Sequence, residues 1–290
     1  MFSFRYHAIS LIAVFLALGI GVLLGVSIGE QGVVSNAQRD LEKSLRGDLS
    51  SARGKNSDLR AELNIRDQFE KDAYPGLVGD LLPGFRIGIV AIGDLPSGYT
   101  ENVRGAVEPA GATVVSVSVI KAPLPLGSIA HAVAGTSLDR LDRNRDQLSH
   151  FGRRLGRQLV VGGKFVDRVR REVFSSSRGE YRGLDGIVWV RDREGLEGAD
   201  KAAEDRLESA VIDGMQSTSV KVVGVETRGT DPSQVPAMRG YGLATADDLD
   251  LVAGKAALVY ALLGAEGAFG VKSTAAALLP EPPSRRDIHR

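Results

Sequence analysis

Residues 85–93 read FRIGIVAIG, a short and almost uninterrupted apolar run that closes at Gly93. A strand buried on both faces has this pattern, because neither of its faces needs polar side chains. Further runs of this kind, rich in β-branched residues, occur at 112–120 (ATVVSVSVI), 186–190 (GIVWV) and 220–226 (VKVVGVE). A last short strand is predicted near residues 241–246 (YGLATA).

Polar segments with helical character flank these strands, among them 100–111 and 198–215, and the strongly helical segment 253–264 follows the last of them. Short apolar strands that alternate with helices predict parallel pairing through crossover connections. We therefore predict the α/β class, with a three-layer domain and a mostly parallel sheet over residues 85–279. The long basic segment 127–182 is a candidate excursion from the sheet, and the tail 280–290 is predicted to be disordered.

Upstream, residues 30–74 predict a helical stalk. Its apolar positions follow one another at spacings of 4, 4, 3, 7 and 4, which is typical of a coiled-coil strand that is locally straight or right-handed. With Asn56 as a polar layer, the predicted interface is Leu41, Leu45, Leu49, Ala52, Asn56, Leu59 and Leu63. A solvated linker helix is the alternative. Gly47 and Gly54 each cost about 1 kcal/mol relative to alanine, which favours a paired stalk. Pro75, Gly76, Pro83 and Gly84 are expected to end it.

Residues 8–29 carry no charge and follow a short tail, residues 1–7. At about 1.5 Å per residue this run spans roughly the hydrocarbon thickness of a bilayer. A cleaved secretory signal is the alternative, but its apolar region is usually about 7–15 residues long and precedes a small-residue cleavage site. We predict a transmembrane helix.

Small residues recur at every fourth position along this helix. Residues four apart share one helix face, and small residues let two helices approach closely in lipid. The predicted packing seam is Ala13, Ala17, Gly21, Gly25 and Gly29. Arg5 precedes the span and mixed charges follow it, so the positive-inside bias is weak. We predict a single-pass protein with a cytoplasmic amino terminus and an extracytoplasmic α/β domain.

The composition excludes some classes of function. The 36 basic and 36 acidic side chains balance, which removes any general argument for a nucleic-acid partner. The chain has no cysteine, so it has neither disulfides nor thiolate ligands.

Motifs of enzymes are likewise missing from the sequence. The loop GDLPSG after the first strand lacks the glycine pattern of dinucleotide binding, and VVGGKF departs from a phosphate-binding loop at Gln158 and Phe165. We predict that the protein is not an enzyme and that it has no catalytic, cofactor-binding or resident metal site. In TADDLDLVAG, the carboxylates Asp247, Asp248 and Asp250 are expected to cap the following helix, with a hard-cation site as the alternative.

The opening MFSFRYHAISLIAVFLALGIGVLLGVSIGE resembles the amino terminus of the actinobacterial MctB family of copper-transport proteins, which includes the SteB cell-separation proteins. The charged stalk and the late segment DDLDLVAGKAALVYALLGAEGAFGVKSTAAALLP are similar as well. The resemblance implies a cell-envelope protein, described for one member as an outer-membrane channel for copper. For another member it implies a partner of SteA in the control of peptidoglycan cleavage.

The residues bear on this choice. An outer-membrane channel normally needs strands of alternating polarity closed into a barrel, whereas these strands are apolar on both faces. Copper prefers thiolate, thioether or imidazole ligands, and the chain has no Cys, three Met and four scattered His. Two hypotheses follow: a membrane-anchored copper-homeostasis protein that acts by assembly, and a SteB-like scaffold. The predicted partners are the membrane and either a second copy or a SteA-like protein on the stalk.

Overall fold

The computed structural model describes residues 4–30, 33–138, 140–141, 143–192 and 198–282. The helices are α1 Phe4–Glu30, α2 Val33–Val78, α3 Tyr99–Val107, α4 Leu126–Ala132, α5 Arg145–Val161, α6 Lys164–Val173, α7 Gly198–Gln216, α8 Val235–Gly240 and α9 Val252–Leu262. The strands are β1 Arg86–Gly93, β2 Thr113–Ile120, β3 Phe174–Gly179, β4 Gly186–Asp192, β5 Lys221–Val225, β6 Ala244–Ala246 and β7 Ala268–Phe269. The chain divides into two compact units, residues 1–68 and residues 69–290.

The first unit holds α1 and most of α2. Within the described residues, one helix is long and apolar enough to cross a membrane, Arg5–Ser27, with a mean hydropathy of 2.8. None of its apolar window is buried within the protein, as a lipid-facing helix requires. A single-pass membrane protein fits this helix.

The second unit is built on one seven-stranded sheet in the order β3-β2-β1-β4-β5-β6-β7. Every pair of neighbouring strands is parallel except β2 with β3, which is antiparallel. The predicted α/β class with a mostly parallel sheet is therefore confirmed, and all five predicted strands are present.

Helices cover both faces of the sheet, which gives three layers. Along β1, Ile89 and Ala91 face one core while Val90 and Ile92 face the other, as alternation along a doubly buried strand requires. One core holds residues of α4, α5, α6, α7 and α8. The other holds the end of α2 together with α3 and α9.

Two expectations about boundaries are wrong. The helix α2 does not end at Pro75 but continues to Val78, and Gly79 N donates to Pro75 O at 2.8 Å. Tyr74 and Val78 are buried in the core of the second unit, so tertiary packing outweighs the helix-breaking effect of proline. The basic segment 127–182 is also not a pure excursion, because residues 174–179 form β3, which returns to the sheet as its antiparallel edge.

Candidate functional site

The strongest candidate site in the α/β unit lies at the carboxyl ends of the central strands. In the sheet, β2 lies on one side of β1 and β4 lies on the other. The direction in which successive strands are placed therefore reverses between β1 and β4, which makes this boundary a topological switch point. Ligands of open α/β sheets bind in the crevice at such a point. A cavity of about 650 Å³ is present there. It is lined by Pro96, Tyr99, Arg191, Asp192, Thr227, Gly229, Thr230, Asp231, Pro232 and Gln234.

The loop after β5, residues 227–234, forms one wall and is held at several points. The Tyr99 hydroxyl lies 3.1 Å from Thr230 Oγ1 and accepts a hydrogen bond from Thr227 N at 3.2 Å. Lys272 Nζ donates to Thr230 O at 2.6 Å. Because side chains from two other segments fix this loop, its shape is set before any ligand arrives.

A buried ion pair between Glu226 and Lys272 holds the same loop in place. Glu226 is 1% exposed, and its Oε1 accepts from Lys272 Nζ at 2.7 Å and from Ser233 Oγ at 2.7 Å. Its Oε2 accepts from Gln234 N at 2.6 Å. A buried carboxylate is stable only with such partners, so the loop and the pair depend on each other.

Arg191 lines the cavity, and its guanidinium is already engaged by other side chains. Its Nε donates to both oxygens of the fully buried Glu208 at 3.1 and 3.2 Å, and its guanidinium also donates to Gln234. Asp205 lies 3.9 Å away. The described lining contains neither histidine nor lysine. The arrangement offers hydroxyl, amide and carboxylate groups to a small polar molecule.

The Asp-rich turn lies beside this region and has another role than the one we expected. The residue that precedes α9 is Leu251, and no side chain caps the helix there, so the capping interpretation is wrong. Asp247 instead accepts hydrogen bonds from Val271 N and Lys272 N and fixes the segment after β7. Asp250 accepts from Arg228 N at 3.0 Å and Arg228 Nε at 2.8 Å. Asp247 and Asp250, which we expected to cap the helix, therefore form hydrogen bonds with residues distant in sequence instead.

The third carboxylate of the turn, Asp248, is fully buried, and neither of its oxygens has a hydrogen-bond partner within the described part of the chain. Burial, together with the negative charges of Asp247 and Asp250, raises the pKa of Asp248 to about 6. For Asp250, burial opposes ionisation, but the hydrogen bonds from Arg228 outweigh it and lower the pKa. The pKa values of Asp248 and Asp250, which are two residues apart, are thus shifted in opposite directions.

The predicted membrane seam lies on the exposed surface of α1 as far as its side chains are described. Ala13, Ala17, Gly21 and Gly25 are all exposed, and a Cβ added at Gly21 or Gly25 would meet nothing within 4 Å. Gly29 lies outside the described side chains. The seam therefore remains a prediction about contact with another helix.

The stalk positions are all exposed on α2. The five leucines of the stripe are 60%, 58%, 51%, 59% and 55% exposed in the order Leu41, Leu45, Leu49, Leu59 and Leu63. Ala52 and Asn56 are exposed on the same helix. In the described part of the chain, no other segment therefore covers this row of apolar side chains on α2.

The donors that copper prefers are dispersed. His7, His131 and His150 are exposed and lie on α1, α4 and α5, while Met215 and Met238 are buried on α7 and α8. No group of three or more His, Asp or Glu side chains suited to a metal ion occurs among the residues that the structure describes.

The sequence did not identify the residues around the cavity. Arg191 follows one predicted apolar strand and Glu226 is the last residue of another, so their places at strand ends were visible. Their partners Glu208 and Lys272 lie 17 and 46 residues further along the chain and carry no recognisable spacing. Only the folded sheet brings these charges together.

Comparison with known proteins gives one result that covers most of the chain. A family model described as "Copper transport outer membrane protein, MctB" matches residues 1–280. No curated protein matches this chain. The match confirms the resemblance at the level of the family.

Proposed function

The chain belongs to the MctB family of copper transport outer membrane proteins, and from this premise we propose that it is a membrane-anchored protein of copper homeostasis that acts by assembly rather than by catalysis. In this proposal α1 stays in the membrane, α2 pairs as a coiled coil, and the α/β unit lies outside the cytoplasm. Copper is the cargo of the assembly rather than a resident cofactor.

The observation that carries the proposal is the leucine stripe of α2. Five leucines at 51–60% exposure form one row on this helix, and charged and other polar residues occupy most of its remaining positions. Full burial of one leucine contributes roughly 1.5–3 kcal/mol, so a stripe of this length strongly favours a partner helix. A second copy is the simplest partner, because it presents the same stripe and places Asn56 opposite Asn56, where a polar pair fixes the register.

The small residues of α1 support the same assembly. In lipid, helices associate mainly by close packing, and residues without bulky side chains allow it. The space around Gly21 and Gly25 is open on the described chain, which leaves room for a second backbone. Two anchors that meet along this seam would bring two stalks together in parallel.

The dispersed donors bear on how copper is handled. Thioether and imidazole groups suit copper, yet the described histidines are on three different helices and both described methionines are buried. A copper path would therefore form from several chains, or the protein would act on copper through a partner.

The stalk is tested by cross-linking the full chain in membranes. Leu45→Asn with Leu59→Asn places two amides on the stripe, and the dimer yield is expected to fall at least about tenfold because the lost burial exceeds about 1.4 kcal/mol. The matched control is Ser50→Asn with Ser57→Asn, since at about 100° per residue these positions lie roughly opposite the stripe. Equal loss of dimer in both variants would refute pairing through the stripe.

A second test addresses the anchor seam. Gly21→Ile with Gly25→Ile should weaken assembly in membranes, because the two side chains would hold a neighbouring backbone away. Gly19→Ile is the control, since Gly19 is not on the predicted seam and also has open space around it. An unchanged oligomer size in the double variant would contradict the seam.

A SteB-like scaffold is the second candidate function. The same exposed stripe could bind a SteA-like protein instead of a second copy, and the scaffold would then regulate peptidoglycan cleavage and cell separation. A deletion strain distinguishes the copper-homeostasis function from the scaffold function. Loss of copper tolerance in this strain, together with ion conductance by the purified protein, supports the copper role. Chained, unseparated cells with normal copper tolerance, and co-purification of a SteA-like protein that depends on Leu45 and Leu59, support the scaffold.

A further inference from the structure

The net charge of the chain is zero, but α5 and α6 depart strongly from this balance. Over residues 145–173 the sequence has eight basic and three acidic side chains. Seven of the basic side chains are exposed and form no ion pair with a carboxylate in the described part of the chain, and six of these seven lie between Arg153 and Arg171. These six, together with Val161, are called the basic corner: Arg153, Arg154, Arg157, Lys164, Arg168 and Arg171.

The basic corner is rigid. The turn between the two helices is short, and Gln158 Oε1 of α5 accepts from Phe165 N at 3.1 Å and from Val166 N at 3.4 Å, which caps the start of α6. The Arg154 guanidinium lies 4.2 Å from the centroid of the Phe165 ring, a cation–π contact between the helices. The cations therefore project from a fixed scaffold rather than from a loop.

Helical spacing sorts the charges into two rows. Arg153 and Arg157 are four residues apart on α5, and Lys164, Arg168 and Arg171 follow at spacings of four and three on α6. Arg154, the neighbour of Arg153, contacts Phe165, the neighbour of Lys164, so the two helices touch at this point. Val161, at the end of α5, is 47% exposed between them, so the corner adds an apolar side chain to its cations.

This combination suits an anionic phospholipid surface. Arginine binds phosphate through two parallel hydrogen bonds, and five of the six cations are arginines. Each Lys or Arg near an anionic bilayer adds to the attraction, and an exposed apolar side chain can enter the headgroup region. A nucleic acid fits less well, because Phe165, the aromatic side chain at the corner, is buried and offers no stacking face.

We propose that the basic corner of the α/β unit docks on the surface of a bilayer that contains anionic phospholipid. The inference goes beyond the proposed function, since it needs neither a paired stalk nor copper. It gives the unit a second contact with the envelope in addition to α1. The phospholipid belongs either to the bilayer that holds α1 or to a separate bilayer, and the experiment has one arm for each source.

The separate bilayer is tested with the full chain held in phosphatidylcholine nanodiscs. We expect capture of vesicles that contain phosphatidylglycerol, little capture of pure phosphatidylcholine vesicles, and a loss of at least about tenfold when salt shortens the screening length from about 10 Å to about 3 Å. The same bilayer is tested by hydrogen exchange of residues 153–171 in nanodiscs with and without phosphatidylglycerol. Protection or capture that depends on phosphatidylglycerol in either arm supports the proposal.

Matched charge reversals decide whether the corner is responsible. Arg157→Glu/Lys164→Glu/Arg168→Glu should abolish the dependence on phosphatidylglycerol. Arg104→Glu/Lys201→Glu/Arg206→Glu changes the net charge equally at exposed sites elsewhere and should retain it. Thermal unfolding checks that both variants fold. The proposal is overturned if both triple variants behave alike, if phosphatidylcholine vesicles bind equally well, or if neither arm responds to phosphatidylglycerol.

Discussion

At the scale of single residues, the Asp-rich turn shows how one local sequence produces three environments. Asp247 accepts backbone amides, Asp250 pairs with Arg228, and Asp248 has no partner among the described residues. A Cβ added at Gly254 would lie 2.5 Å from Asp248 Oδ1, so α9 packs directly against this carboxyl group. The turn is a structural junction in which burial disfavours the charged form of one carboxyl group.

The buried carboxyl makes stability depend on pH. Because the pKa of Asp248 rises from 3.8 to about 6, the folded state favours the protonated form, and stability falls as the pH rises from about 4 to about 6. Asp248→Asn removes the buried charge and should stabilise the protein at pH 7 by about 1–3 kcal/mol while flattening this decline. Urea unfolding across this pH range measures it, and an unchanged slope would contradict the assignment.

Asp250→Asn is the control with the opposite sign. The pKa of Asp250 is lowered in the folded state, so its ion pair with Arg228 stabilises the protein at neutral pH and this contribution disappears as acid protonates the carboxylate. The variant should be less stable than the parent at pH 7 and approach it at low pH. If both aspartate variants shift stability in the same direction, local pKa tuning does not explain the effect.

At the scale of elements, α5 and α7 cross in close backbone contact. A Cβ at Gly156 would lie 1.9 Å from Val211 O, and one at Gly214 would lie 2.1 Å from Arg153 O. Glycines at these positions let the two backbones touch, which a larger side chain would prevent. This crossing holds the scaffold of the basic corner in place.

Gly156→Ala tests the crossing. The added methyl group forces the helices apart, and overpacking of this kind typically costs about 1–3 kcal/mol. Gly54→Ala is the matched control, because its Cβ meets nothing within 4 Å on α2 and the substitution should stabilise that helix by about 1 kcal/mol. Thermal unfolding of the two variants should shift in opposite directions, and a neutral Gly156→Ala would show that the contact relaxes freely.

Sequence patterns missed two strands, the two-residue β7 and the longer β3, and the composition of β3 explains why it was missed. Residues 174–179 read FSSSRG, which lacks the apolar run of a buried strand, and four of the six residues are exposed. The strand exists because β2 offers an open edge with which it pairs antiparallel. Pairing at an edge depends on the neighbouring strand, not on the local sequence.

At the scale of the whole molecule, the chain combines a helix suited to lipid with an α/β unit that has two complete cores. We predict that the amino terminus is cytoplasmic and the α/β unit extracytoplasmic. Protease added to intact cells should remove a carboxyl-terminal tag and spare an amino-terminal one. The reverse pattern would contradict the orientation, and a mature chain that begins beyond Ser27 would contradict the anchor itself.

The sequence alone determined the order of elements, the parallel character of the sheet, the apolar helix and the family. These features depend on period and composition. A short apolar run such as 85–93 is stable when it is buried on both faces, and a long uncharged run such as 8–29 is stable in the hydrocarbon of a bilayer. Local pattern was sufficient because each of these requirements is met by neighbouring residues.

The tertiary structure alone decided the continuation of α2 past Pro75, the edge strand β3, the fate of the Asp-rich turn and the charges around the cavity. Each depends on a partner distant in sequence, such as Lys272 for Glu226 or Arg228 for Asp250. A buried charge selects whichever partner the fold brings within hydrogen-bonding distance, and spacing along the chain does not encode that distance.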